Sequence, residues 1–259
     1  MNISAFFLES RQKSISSWVV ALWMLILILF FSGFCLTVMG GSVKGWQAVW
    51  NYREVFWKGW WLTVLISSLA LLLSLIIGLG TALARRSGVL PLRALAILYI
   101  EAVRGTPFLV QILLLYYVVA NAIGLENRMV AGVVILSLFS GAYLAEIIRS
   151  GIESIPSSQW ESARAIGLSN LQIYRFVIAP QALRQILPPL AGQFASLIKD
   201  SSLLSIIGIS EFTLAAQQVN SSTYRTLESY FPLALGYLAL TLPISLLAKW
   251  LEQKLHYET

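Results

Sequence analysis

Two uncharged apolar stretches constrain this chain more than anything else in it. Trp18–Met39 and Gly59–Ala84 hold no Asp, Glu, Lys or Arg, and basic residues bracket both. About 20 such residues as a helix cross a bilayer's hydrocarbon core. The first stretch follows Arg11 and Lys13, as in a signal peptide, but its apolar core is too long and no small-residue cleavage site follows. It reads as a retained anchor helix. Four further spans are predicted at about Leu92–Ala122, Met129–Arg149, Gln185–Ser210 and Ser229–Ala248. The expected fold is therefore all-α, a polytopic transmembrane bundle of about six spans.

Composition agrees. The 259 residues are 58% hydrophobic and 12% charged, about half the charge of a soluble average near 25%. The single Cys35 excludes an internal disulfide, and its apolar setting reads as packing. The single histidine, His256, excludes a multi-histidine zinc site. The net charge of +6 reflects topology rather than nucleic acid, because the basic residues cluster between spans. Arg11, Lys13, Arg85, Arg86, Arg93, Arg149, Arg164, Arg175, Arg184, Lys249 and Lys254 fall on one side. Lys44, Arg53, Lys58, Arg128 and Arg225 fall on the other. The positive-inside rule puts both termini in the cytoplasm. Trp46, Trp50, Trp57, Trp60 and Trp61 then suit the outer interface or simple loop packing.

Between the fourth and fifth spans lies a polar loop with two consecutive helix starts. Ser158-Gln159-Trp160-Glu161 fits the capping box S-x-x-E and predicts a helix over Gln159–Ile166, which Gly167 stops. Ser169 and Gln172 repeat the pattern and start a second helix running toward Pro180. A helix shorter than about 12–15 residues is marginal in water, so the first needs something to pack on. Small Ser162, Ala163 and Ala165 permit close approach, and Trp160 is an anchor of a kind enriched at binding hot spots.

Charges inside the apolar segments are functional candidates by cost alone. Glu101 with Arg104, and Glu146 with Arg149, are three residues apart, share helix faces and can pair. Holding spans together, gating and substrate contact are all open to them. Pro107 should kink the third span. Lys199 and Asp200 are adjacent and cannot face each other on one helix. Each needs a partner elsewhere, or the span is unwound there beside Ser201, Ser202 and Ser205, lining a wet path. Ser137, Gly141 and Ala145 form a small-residue stripe for close helix packing, with Tyr143 off it.

"ESARAIG" followed by "IAP" resembles the EAA loop of ATP-binding-cassette importer permeases through Glu161, Ala163, Gly167, Ile178 and Pro180. Ser162 and Ala179 depart from the usual Ala and Leu. "RGTPFLVQ" (104–111), "GAYLAEIIRSGIESIP" (141–156) and "KDSSL" (199–203) resemble the polar amino-acid uptake branch. The likeness spans about 59–252. It implies a type I importer permease fold, with an anchor helix and outer loop over 1–56 and a permease core over 57–259 carrying a coupling loop at 153–180.

The resemblance also implies partners. The short helix would dock on a cytoplasmic ATPase dimer through Ser158, Trp160, Glu161, Ser162, Ala163, Arg164 and Gly167. A second permease subunit, identical or homologous, would complete the path, and a solute-binding protein would deliver an amino acid. The setting would be the bacterial inner membrane. Path or substrate candidates are Arg104, Thr106, Gln111, Tyr143, Glu146, Lys199, Asp200, Ser201 and Ser202. No G-x-x-x-x-G-K-[ST] occurs, so ATP and Mg are expected on the partner, with no cofactor on this chain. The rival reading is an ion-coupled carrier or channel independent of ATP. An intramembrane enzyme would need H-E-x-x-H, G-x-S-x-G or a similar pair, and neither motif is present.

Overall fold

The computed structural model describes residues 17–38 and 43–255, apart from a few side chains in the first segment and that of Val43. Cys35 is one of these side chains and His256 lies beyond the described residues, so the readings of both fall outside the description. The described residues form helices and connecting turns: α1 Ser17–Val38, α2 Val43–Trp50, α3 Arg53–Arg85, α4 Leu90–Arg104 and α5 Phe108–Leu114, which runs on through a π-helical turn to Ala120. They continue as α6 Arg128–Glu153, α7 Ser157–Ala165, α8 Asn170–Gln172, α9 Ala179–Asp200, α10 Phe212–Thr223 and α11 Thr226–Leu255. By length and apolarity α3, α6 and α11 can each cross a membrane, and the bent pair α4–α5 makes a fourth crossing or a re-entrant loop. Ala21–Phe30 of α1 is a shorter apolar run. α9, the predicted fifth span, is not among the helices apolar enough, since Arg184, Gln185, Lys199 and Asp200 dilute it.

α3 shows how the bundle is sorted. One face is small and buried: Gly59, Thr63, Ser67, Ala70, Ser74, Gly78 and Ala82. The opposite stripe, Leu65, Leu69, Leu72, Ile76, Leu79 and Leu83, stands exposed. In water that arrangement would be inverted; in a bilayer the large apolar face meets lipid and the small face lets helices close. α3 and α6 pack along these stripes. A Cβ at Gly78 would lie 2.7 Å from Leu144 Cβ and 3.1 Å from the Gly141 carbonyl, and one at Gly141 would lie 2.7 Å from Ile77. The stripe Ser137, Gly141 and Ala145 read from the sequence is buried there.

The proline kink is more than a right angle: α4 and α5 are bent by 111°. Pro107 has no N–H for the Val103 carbonyl four residues back. Gln111 supplies one, its Nε2 donating to Val103 O at 2.7 Å and to the Thr106 hydroxyl and carbonyl at 2.9 and 3.0 Å. The Thr106 hydroxyl donates to Ala102 O, and the Gly105 amide to Glu101 O. The Glu101, Ala102 and Val103 carbonyls near the end of α4 are thereby satisfied within the bend.

Candidate functional site

Two clusters hold most of the residues picked from sequence. The first is the loop helix α7. Its start differs from expectation. Pro156, at φ −56° and ψ 142°, is the N-cap, no side chain caps the helix, and the Gln159 amide bonds the Pro156 carbonyl. Proline's fixed φ pre-sets the extended approach, so the helix begins at Ser157 and Ser158 lies inside the first turn. Ser158 and Glu161 do not form the predicted box; both stand exposed, as do Ser162 and Arg164.

The end of α7 is as the sequence suggested. Gly167 sits at φ +81°, where a side chain would be strained. Its amide bonds Arg164 O, and the Leu168 amide bonds Ala163 O, closing a Schellman motif. Ser169 and Gln172 form the second capping box in full. The helix it starts does not stop at Pro180. It widens into a π turn over Ile173–Ile178 and continues as α9. A wider turn relieves the clash between a proline ring and the preceding carbonyl, which lets the helix pass.

The support α7 needs comes from its own chain. Ala163 is buried with Ile155, Ile173, Ile178, Ala182 and Ile186, and Trp160 and Leu168 pack against them. Trp160 is half-buried, its ring centroid 5.0 Å from that of Tyr174 in an edge-to-face contact. It anchors α7 inward to the segment leading into α9. The outward face, with Glu161, Ser162 and Arg164, is left uncovered.

The second cluster centres on Glu146 of α6. Its carboxylate pairs with Arg85 from the end of α3, with Arg104 from the end of α4 at 3.4 Å, and with Arg149 at 2.9 Å. Arg149 also pairs with Glu153. Arg104 lies 5.7 Å above the Tyr143 ring, close enough for a cation–π contact. The predicted Glu101–Arg104 pair is not formed. Glu101 is exposed, and Arg104 turns to a carboxylate that is 15% exposed, where the pairing is less screened. The structure thus brings Arg104, Tyr143 and Glu146 together beside the Thr106–Gln111 bend.

Lys199, Asp200, Ser201 and Ser202 lie elsewhere, at the end of α9. Lys199 and Asp200 are still α-helical rather than unwound, and the helix tightens after them into a 3-10 turn over Ser201–Ile207, ended by Gly208 at φ +77°. Lys199 is exposed and Asp200 half-buried, and among the described residues neither joins a salt bridge. The Ser201 and Ser202 hydroxyls bond the Ile198 and Lys199 carbonyls. The turn itself is held by Leu204 and Ile207, which pack with Phe108 and Ile112 of α5 and Leu136 of α6.

Sequence reasoning missed Glu211. It is fully buried and caps α10, accepting from the Thr213 and Leu214 amides, both at 2.9 Å, and from the Tyr237 hydroxyl at 2.8 Å. The Phe212 amide donates to Thr63 Oγ1 of α3. Its signal was an acid placed directly before an apolar helical run. Among the described residues no group of three or more His, Cys, Asp or Glu is placed to hold a metal.

Residues 74–257 match the family of binding-protein-dependent transport system inner membrane components. The chain belongs to that family. It is 37% identical over 212 residues to the glutamine transport system permease protein GlnP of Escherichia coli (strain K12), covering 81% of this chain and 97% of that one. It is 36% identical over 220 residues to the L-cystine transport system permease protein TcyB of Bacillus subtilis (strain 168), covering 83% and 93%. A solved amino acid ABC transporter chain is 36% identical and superposes with a TM-score of 0.77, over 83% of this chain and 100% of that one. A chain of the MetNI methionine ABC transporter in an inward-facing conformation, 18% identical, shares the fold with a TM-score of 0.66 over 79% and 98%. The permease is a transport subunit and not an enzyme, and ATP hydrolysis belongs to a separate subunit.

Proposed function

We propose that the chain is the permease of a bacterial amino-acid importer, and that α7 is where a cytoplasmic ATPase dimer pushes on it. The observation that carries this reading is the two-faced packing of α7. Its inner face is locked by Ala163 and Trp160 onto the helix that becomes α9, while Glu161, Ser162 and Arg164 are presented outward. A mere connector does not need a Schellman stop followed at once by a capping box. Glutamine and cystine relatives at over a third identity support an amino acid as cargo. ATP and Mg stay on the ATPase, a solute-binding protein delivers substrate, and a second permease subunit completes the path.

In this reading both termini face the cytoplasm, α1 is an anchor outside the core beginning near residue 57, and the chain is multi-pass in the inner membrane. Arg104, Tyr143 and Glu146 at the α4–α5 bend, and Lys199 and Asp200 at the end of α9, are the polar groups offered to the path. Asp200, which has no salt bridge among the described residues, is the stronger substrate candidate; Glu146 is committed to arginines.

Glu161→Lys tests it. The charge reversal sits on the uncovered face, in the second turn of α7. With the complex reconstituted in liposomes, we expect normal insertion and assembly of the permease dimer but loss of ATP-driven uptake. Uptake at the wild-type rate would end the docking role of this helix.

A further inference from the structure

The end of α3, the start of α4 and the end of α6 enclose a cavity of about 360 Å³ lined by Arg85, Arg86, Arg93, Arg149 and Glu153. Its charges do not balance. Arg85 and Arg149 are answered by Glu146, and Arg149 also by Glu153. Glu146 is further shared with Arg104. Arg86 donates only to a neutral group, the Tyr174 hydroxyl, at 3.0 Å. Arg93 joins no salt bridge among the described residues. Five guanidiniums therefore face two carboxylates.

The rim is apolar and open. Val89, Leu90 and Leu92 are 59%, 75% and 46% exposed beside the arginines, and Leu83 and Leu95 continue the surface along α3 and α4. A free anion satisfies the guanidiniums and leaves these side chains bare. A phospholipid satisfies both, because guanidinium forks match phosphate oxygens and acyl chains cover leucine. Basic pockets between spanning helices suit lipid head groups for this reason.

We propose that this cavity binds the phosphate of an anionic phospholipid, with its acyl chains lying along Val89, Leu90 and Leu92. The site touches the loop helix. Arg86 reaches Tyr174, which meets the Trp160 ring edge of α7. Lipid occupancy therefore bears on the seat of α7. That consequence rests on the coupling reading above, and the binding itself does not.

The purified complex in detergent is titrated with dioleoylphosphatidylglycerol and with dioleoylphosphatidylcholine, and bound lipid is counted by native mass spectrometry. The anionic lipid is expected to bind tighter in the wild type. Arg86→Gln or Arg93→Gln should each weaken it about fivefold, and the pair about 30-fold, with the zwitterionic lipid unchanged. The Arg86→Lys, Arg93→Lys pair should keep most of the preference, and wild-type affinity should fall as salt rises. No preference between the lipids, a glutamine pair that binds like wild type, or salt-independent affinity overturns the proposal. Displacement of the lipid by millimolar inorganic phosphate overturns the lipid source in favour of a soluble anion. Loss of the arginine dependence once the ATPase is removed overturns it in favour of a protein contact. Uptake is not read in this assay, so failure of the coupling reading cannot mimic failure of this one.

Discussion

Glu146→Gln removes one charge on which three arginines converge, and the structure sets the size of the effect. The carboxylate is 15% exposed; its partners Arg85, Arg149 and Arg104 are 24%, 29% and 42% exposed. That places the cluster between surface pairs, worth about 0–1 kcal/mol, and buried ones, where removing one partner costs about 3–5 kcal/mol. Arg149 keeps Glu153 and Arg104 keeps Tyr143, while Arg85 has no second acid among the described ion pairs. At about 1 kcal/mol per lost pair the variant should lose roughly 3 kcal/mol. By the scaling of soluble domains this is about 6–12 °C of midpoint. Thermal unfolding of the complex in detergent measures it, with Glu101→Gln as control, since Glu101 is exposed and pairs with none of these arginines. A double-mutant cycle with Arg104→Gln should return about 0.5–1 kcal/mol, less than one with Arg85→Gln. If Glu146→Gln unfolds within 1 °C of wild type, or Glu101→Gln is the more damaging, the hub is not at Glu146 and the reasoning fails.

Gln111→Leu should cost about 1–3 kcal/mol, because it strands the Val103 carbonyl that Pro107 cannot serve; chemical denaturation in micelles checks it, and a neutral result would mean another donor reaches that carbonyl. Asp200→Asn should assemble normally yet alter uptake or substrate-stimulated ATPase activity more than Glu101→Gln does, since no salt bridge among the described residues commits Asp200 to packing. Unchanged uptake kinetics in liposomes would remove Asp200 from the path.

What could be read in the sequence was local. Apolar length gave α3, α6 and α11 their places, and Pro107 marked the bend within a residue. Gly167 and the Ser169–Gln172 box had mechanisms that act within a turn, and both are present. The misreadings came from competition between neighbours or from distance. Pro156 pre-empted Ser158, since a fixed φ outranks a serine two residues on. Arg104 ignored Glu101, three residues away, for Glu146, 42 positions on, because the 111° bend ends α4 against α6. No spacing rule contains that geometry. Trp160 was read as an anchor for a partner, and its contact within the chain, Tyr174 across the Schellman turn, could not be told from spacing. Glu211 escaped for the opposite reason: a single acid at a helix start is common, and only Thr63 and Tyr237, from two other helices, make it a buried junction.

The position of α7 explains why the two groups of intramembrane charges lie where they do. α7 follows α6 after Pro156, and its buried face rests on Ile173 and Ile178, which lead into α9. Where α6 and α9 meet there is no slack. A Cβ at Gly151 would lie 3.2 Å from Ile186 Cδ1 and 3.5 Å from the Ala182 carbonyl. Close-packed contacts of this kind shift as units and do not deform locally. On the proposed coupling reading, a push on the outer face of α7 would reach two helices, α6 and α9. α6 carries Glu146, tied through Arg104 to the end of α4 and so to the bend. α9 carries Lys199 and Asp200 into the 3-10 turn, which packs on Phe108 and Ile112 just beyond the same bend. Both routes end on α5. Contiguity alone does not establish coupling. The coupling reading predicts that a rotation of α7 changes the angle at Pro107 or breaks the Arg104–Glu146 pair, and a crosslink fixing that pair would separate the two.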